Sequence, residues 1–219
     1  MDKTIMILIK FAEKYEYVKM AQEGKLYMNS IGCYKKIEEE VKYLRKDESE
    51  GICRNYQPNK NKLIINNMII DPEHIEGSIK VSKNKDLKKH IYCMYSLYYQ
   101  NDSISHKDLI IDKKVKEFGE WFLLINDVSE FLQRVSKKLK TLNVDFKGKL
   151  VEYKDLNKYN GKVDLFTKNA NYAYQKEYRI VLDCYNEDPY ILDIGDISDI
   201  SKIGQTKDIF NMIKIEEKI

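Results

Sequence analysis

Alternate positions in the segment Tyr172–Val181 carry polar side chains that can bind or polarise a small molecule. If the segment is a strand, its period of two places Gln175, Glu177 and Arg179 on one face. Such a row suits the wall of a cleft, where a carboxylate accepts a hydrogen bond from a substrate hydroxyl or stabilises a developing cation. It equally suits a solvated sheet face with charge pairs between neighbouring strands. The segment is therefore the first candidate site, with both interpretations open.

An acidic turn is the second candidate. Asp47 and Glu50 lie three residues apart and are followed by Gly51. Two carboxylates at this spacing can share one face of a helical turn and so bind a cation or a ribose. The alternative interpretation is an exposed acidic loop without a ligand.

A basic helix face is the third candidate, comprising Arg134, Lys137, Lys138 and Lys140. These side chains could contact the phosphates of an RNA or DNA acceptor, or they could simply be solvated. The chain has 38 basic and 35 acidic residues, a net charge of +3. This balance is too even for general electrostatic capture of nucleic acid.

Motifs that identify a site by their spacing are absent from the sequence. It contains no GxGxxG, P-loop, HExxH or GxSxG pattern. The cysteines form no CxxC pair, and the histidines lack metal-ligand spacing, so neither a metal site nor a disulfide framework is predicted. These residues are Cys33, Cys53, Cys93, Cys184, His74, His90 and His106.

The elements that must position the candidates indicate one α+β domain spanning residues 1–219. We expect mixed, mostly antiparallel strands in a split sheet with a few flanking helices, because strands outnumber helices and do not alternate regularly with them. Short apolar runs between Ile52 and Ile79 favour hairpins. Longer strands are predicted at Ile5–Phe11, Leu26–Ser30, His90–Tyr99, Glu120–Ile125, Lys149–Tyr153 and Tyr172–Cys184, with a further strand from Ile191.

The clearest helix follows Asp127, which can cap it together with Glu130 in the capping-box position. Its predicted apolar face comprises Val128, Phe131, Leu132, Val135, Leu139 and Leu142. Other helices are predicted at about Glu13–Glu23, ended by Gly24 in the left-handed conformation, at Ile37–Arg45 and near Lys207–Ile213.

No run of 18 apolar residues is present, so no membrane span is expected. The apolar run in the first ten residues is too short for a signal peptide and continues into polar sequence. A cytoplasmic protein is therefore expected.

The Gln175-x-Glu177 spacing resembles the Gln-x-Glu motif of the ADP-ribosyltransferase superfamily. The resemblance implies that Glu177 binds the nicotinamide-ribose hydroxyl of NAD and stabilises the oxocarbenium-like transition state, while Gln175 orients the acceptor. It also implies cofactor contacts from Lys10 at the end of the first strand and from Ser96 on a middle strand.

Two further cofactor contacts follow from the same resemblance. Arg179 shares the face of Glu177, and Tyr27 lies in the turn that follows Gly24 and offers a ring for stacking on nicotinamide. One departure is Lys10, which stands where the family has Arg or His. An ammonium is a point charge and lacks the planar fork that suits a phosphate.

A closer likeness is to uncharacterised bacterial and phage proteins. The shared segments are Gly24–Asn29, Asp47–Gly51, Cys93–Ser96 and Tyr174–Ile180. These proteins imply little about the reaction. The superfamily resemblance implies an NAD-dependent enzyme that modifies a macromolecular acceptor in a toxin or phage-defence conflict. The alternative is a catalytically inactive protein on the same scaffold that sequesters a nucleotide signal. A nucleic-acid or protein interaction domain is a third hypothesis.

Overall fold

An eight-stranded antiparallel sheet is the framework of the computed structural model, which describes residues 3–34, 49–100, 110–184, 186 and 188–212. In chain order the strands are β1 Lys3–Ala12, β2 Lys25–Ser30, β3 Ile52–Tyr56, β4 Leu63–Ile65, β5 Met68–Ile70, β6 Ile79–Ser82, β7 His90–Gln100, β8 Trp121–Ile125, β9 Phe146–Leu150, β10 Glu152–Lys154, β11 Gly161–Lys162, β12 Thr167–Asn169, β13 Glu177–Leu182, β14 Tyr190–Asp193 and β15 Ser201–Gln205. The α-helices in this part of the chain include α1 Tyr15–Gln22, α2 Asn84–Leu87, α3 Val128–Thr141 and α4 Ile209–Met212.

The long strand β7 is the centre of the main sheet. One edge of β7 pairs with β13, which pairs in turn with β9. The other edge pairs with β1 at one end and with β2 at the other, so the sheet splits into β1-β8-β15 and β2-β14 branches. Smaller sheets are β11-β3-β6, the β4–β5 hairpin and the parallel pair β10–β12. The predicted α+β class with a split, mostly antiparallel sheet is confirmed.

Helices α1 and α3 cover the first face of the main sheet. Asp127 caps α3, because its carboxylate accepts a hydrogen bond from the Glu130 N–H at 2.9 Å. The predicted apolar face of α3 packs into the largest core, except that Leu142 was placed wrongly and is 44% exposed. Leu142 follows the last helical residue, so it turns away from the sheet.

The second face of the sheet carries two separate apolar clusters. One surrounds Phe11 and Tyr95 at the β1-β8 end, and the other contains Ile91 and Val181 at the β13 end. Between the two clusters lies a stretch of β7 and β13, where β13 carries charged side chains.

Most predicted strands are confirmed within a residue or two, and Gly24 ends α1 with a positive φ of +85°. Two of the strand predictions were wrong. The strand predicted from Tyr172 begins only at β13, because Ala170–Gln175 forms a 3₁₀ helix. The strand predicted at Lys149–Tyr153 is broken at Val151, whose N–H donates to the Glu177 carbonyl.

The tail contains one strand that the sequence did not indicate, β15, alongside the predicted strand β14 and the short helix α4. The helix predicted at Ile37–Arg45 lies outside the described residues. Among the helices of the described part of the chain, none is long and apolar enough to cross a membrane.

Candidate functional site

The charged face of β13 lies beside the face of β7 that carries Cys93 and Tyr95, on the second side of the sheet. Arg179 lies opposite Cys93, and Glu177 lies opposite Tyr95, in the antiparallel register of the two strands. Opposite residues in such a pair project to the same side. Glu177 and Arg179 are 5% and 1% exposed, so the predicted charged row is buried and is not a solvated sheet face.

Arg179 binds two carboxylates at once. Its Nε donates to Oε1 of Glu177 at 2.7 Å, and its two terminal nitrogens donate to the Glu50 carboxylate at 2.6 and 3.0 Å. A further bond reaches the Leu165 carbonyl at 2.5 Å. The planar guanidinium fork explains why arginine suits this position, since each carboxylate meets a different edge of the fork.

Lys168 on β12 joins the two residues of the Gln-x-Glu motif. Its ammonium donates to Oε2 of Glu177 at 2.7 Å and to Oε1 of Gln175 at 2.8 Å. Gln175 is the last residue of the 3₁₀ helix. Lys176 follows it in the left-handed conformation, with φ +38°, and connects the helix to β13. Glu50, Lys168, Glu177 and Arg179 thus form a buried set of two carboxylates and two cations, called here the β13 cluster.

Mutual pairing keeps the β13 cluster charged. Burial alone raises the pKa of Glu177, but the positive charges of Arg179 and Lys168 outweigh it and hold that pKa well below its ordinary 4.5. Burial alone lowers the pKa of Lys168 and of Arg179, but the neighbouring carboxylates outweigh it, so both pKa values are raised. Glu177 is therefore a carboxylate at neutral pH.

Neutral hydroxyl and thiol groups surround the charged cluster. The Tyr153 hydroxyl accepts a hydrogen bond from the Glu177 N–H at 2.8 Å, and the Cys93 thiol hydrogen-bonds to the Glu177 carboxylate. Burial, followed by the charge of Glu177, raises the pKa of Cys93 to about 12. Burial is also the main cause of the raised pKa of Tyr34 and Tyr153. Cys93 is thus a neutral thiol and is not activated as a nucleophile.

A cavity of about 180 Å³ opens above the β13 cluster. All four cluster residues line it, together with Gln175, and most of the remaining walls come from both apolar clusters of the second face. Pockets that enclose a drug-sized ligand have volumes of roughly 300–1,000 Å³. The cavity is therefore large enough for part of a nucleotide, such as one ring, but not for a whole dinucleotide.

The other residues predicted to contact a cofactor are Lys10, Ser96 and Tyr27, and of these only Lys10 lines the cavity. Lys10 borders it, but the Lys10 ammonium donates to the Cys93 carbonyl at 3.0 Å and lies 4.4 Å from the centre of the Tyr92 ring. Ser96 is fully buried and donates to the Lys176 carbonyl at 2.5 Å. Tyr27 is 42% exposed on β2, and neither Ser96 nor Tyr27 lines the cavity.

The second and third candidates also have definite surroundings. Glu50 of the acidic turn is 6% exposed and paired with Arg179, so it does not belong to an exposed loop; Asp47 lies outside the described residues. On the basic face, Arg134 pairs with Glu130 and Asp199, while Lys137 and Lys140 are exposed.

The four cysteines are free thiols. No group of three or more His, Cys, Asp or Glu side chains in the described ranges is arranged to hold a metal.

Sequence reasoning missed Lys168 and Tyr153 entirely. Lys168 stands in the short polar strand Thr167–Asn169, and an isolated lysine there resembles any solvated lysine. Glu50 was considered only as a ligand group of its own turn. Its pairing with Arg179 joins positions 129 residues apart, for which a single sequence contains no local signal.

Comparison of the chain with family models, curated proteins and solved structures found no match.

Proposed function

We propose that this protein binds a nucleotide and places the ribose in the cavity above the β13 cluster. The observation that carries the proposal is Glu177, a buried, ionised carboxylate that lines a cavity of about 180 Å³. Each of its oxygens accepts one charged hydrogen bond, from Arg179 or Lys168. A third hydrogen bond comes from the Cys93 thiol. A carboxylate has about four acceptor sites, so capacity remains for one ribose hydroxyl.

Binding without chemistry is the form of this function that the geometry favours. To stabilise an oxocarbenium ion, a carboxylate must direct its negative charge at the developing cation. In Glu177 that charge is already shared with two cations, at 2.7 Å each. Lys10, the residue expected to hold the phosphates of NAD, uses its ammonium on the Cys93 carbonyl and the Tyr92 ring. Sequestration of a nucleotide signal in a phage or bacterial conflict is therefore the primary proposal.

NAD-dependent ADP-ribosyl transfer to a macromolecular acceptor is the second proposal. It is supported by one specific contact set, in which Lys168 brings Gln175 and Glu177 together at the cavity wall. In this case Glu177 would stabilise the transition state after a bound substrate draws Lys168 or Arg179 away from it. Gln175 would then be free to orient the acceptor.

Titration calorimetry with NAD, ADP-ribose and cyclic nucleotides, combined with an assay for nicotinamide release, separates the two proposals. Tight binding without release supports sequestration, whereas release that is lost in Glu177→Gln supports the enzyme. Glu152→Gln is the matched control, because Glu152 is exposed on β10 and is not part of the cavity lining. Circular dichroism verifies the fold of each variant. If the wild-type protein binds none of these compounds, the nucleotide proposal is wrong.

A further inference from the structure

A lysine-rich groove lies beside the cavity on the same face of the sheet. It has a volume of about 650 Å³ and runs between β9 of the main sheet and the small β11-β3-β6 sheet. Its apolar floor includes Val181 and Phe166, and five lysines line it. These are Lys83, Lys89, Lys147, Lys149 and Lys162, called here with that floor the lysine groove.

The groove continues the cavity along β13. Val181 follows Arg179 by two residues on the same strand face, and Lys147 and Lys149 lie opposite these two residues in the β9 register. Leu165 lines the groove, while its carbonyl accepts a hydrogen bond from Arg179 in the cavity wall. A ligand with one ring in the cavity therefore has its next groups beside the groove.

The charges in the groove leave an excess of available cations. Of the four aspartates in the lining, Asp86 and Asp183 both pair with Lys89. Asp164 accepts hydrogen bonds from the Phe166 N–H and the Thr167 hydroxyl, and Asp145 is exposed.

Within the described part of the chain, Lys83, Lys147 and Lys162 form no salt bridge, and Lys149 lies over the Phe166 ring at 5.5 Å. The groove therefore presents four lysines against two aspartates, Asp145 and Asp164, that form no salt bridge within the described residues.

We propose that the lysine groove binds the phosphate groups of the nucleotide whose ribose occupies the cavity. This inference rests on the proposed nucleotide function, and it locates the part of the ligand that a cavity of about 180 Å³ cannot hold. Ammonium groups on flexible stems bind phosphate as point charges, and lysines on both walls can approach it from opposite sides. The groove, rather than Lys10, then supplies the positive charge for the ligand's phosphates.

The test compares two double variants by calorimetry. Lys147→Gln/Lys162→Gln removes one cation from each wall of the groove, and Lys137→Gln/Lys140→Gln removes two exposed lysines from α3 as the matched control. The probes are adenosine, ADP-ribose and inorganic pyrophosphate. We expect the groove variant to lose about tenfold or more in affinity for ADP-ribose and pyrophosphate, and to bind adenosine like the wild type. The control variant should match the wild type for all three.

The outcomes separate this inference from the proposed function. If pyrophosphate binds the wild type and not the groove variant while adenosine binds neither, the groove is an anion site and the ribose proposal has failed. If adenosine binds but the groove variant holds ADP-ribose as tightly as the wild type, the groove inference is wrong. It is equally wrong if the α3 control weakens pyrophosphate binding as much as the groove variant does.

Discussion

Arg179 is the residue on which the β13 cluster depends. It is among the largest fully buried side chains, and it forms ion pairs with both Glu50 and Glu177. Its removal leaves two buried carboxylates with only Lys168 beside them. Breaking a buried ion pair by removing one partner typically destabilises a protein by about 3–5 kcal/mol.

We therefore predict that Arg179→Met lowers the free energy of unfolding by about 3–5 kcal/mol, as measured by urea denaturation. The matched control is Arg134→Met, which also removes an arginine from two carboxylates, Glu130 and Asp199, but at the surface. Solvent screens that site, so the loss should be clearly smaller. Equal losses in the two variants would mean that burial does not increase the contribution of the β13 cluster to the free energy of unfolding.

The pKa of Glu177 predicts how stability depends on acid. This pKa is lowered on folding, so the contribution of the carboxylate is fully present above the unfolded value, ordinarily 4.5, and is lost as pH falls through the folded value. We expect Glu177→Gln to be less stable than the wild type at neutral pH, with a gap that narrows steadily below about pH 5. Urea unfolding of both proteins, from pH 7 down to the lowest pH at which the wild type is folded, measures this difference in unfolding free energy. A gap that is constant with pH would contradict the assignment.

Residue types on β13 could be predicted from the sequence, but their partners could not. Alternation placed Glu177 and Arg179 on one face, and the structure confirms that they share it. The same alternation is compatible with a solvated face and with a buried cluster. The difference is decided by Glu50 and Lys168, which arrive from other elements and leave no periodic signal near β13.

At the scale of elements, the entry into β13 shows where pattern reasoning fails. The alternation that starts at Gln175 was extended back to Tyr172 as one strand, yet Ala170–Gln175 forms a 3₁₀ helix. This helix begins after Asn169, whose side chain accepts a hydrogen bond from the Asn171 N–H. Lys176 then adopts a positive φ of 38°, which is uncommon for a residue with a Cβ. Gln175 joins Lys168 because of this turn.

The end of α1 offers a test of a predicted element boundary. Gly24 has φ +85°, and a Cβ at this position would lie only 1.8 Å from the Gly195 carbonyl oxygen. Gly77 has a similar φ of +73°, but a Cβ there would have no neighbour within 4 Å. The two glycines therefore separate backbone strain from steric overlap.

We predict that Gly77→Ala costs about 1–2 kcal/mol of unfolding free energy, because only the left-handed conformation is penalised. Gly24→Ala should cost more than that, since the chain around Gly195 must also move. Thermal and urea unfolding of the two variants measure the difference. Similar losses would show that the backbone around Gly195 moves to accommodate the added methyl group at little energetic cost.

At the scale of the whole molecule, the lysine groove lies where the main sheet meets the small β11-β3-β6 sheet, and the cavity adjoins this region through Glu50. The apolar cluster beside β3 is small: its buried members are Ile52, Leu156 and Val163, and none of them belongs to the main sheet. Glu50 precedes β3 directly and is tied to Arg179 on β13. The ion pair therefore links the residue that precedes the small sheet to the main sheet.

We predict that Glu50→Gln loosens the small sheet without unfolding the main one. The substitution removes a charge from the buried pair with Arg179, and regions with few apolar contacts open at the lowest free energy. Native-state hydrogen exchange should show faster exchange in β3, β6 and β11, with β1, β7 and β8 unchanged. Glu76→Gln is the control, because Glu76 lies near the same sheet but is exposed. Faster exchange spread evenly over all strands would show instead that the pair stabilises the molecule globally, and unchanged exchange in β3 would show that other contacts dock the small sheet.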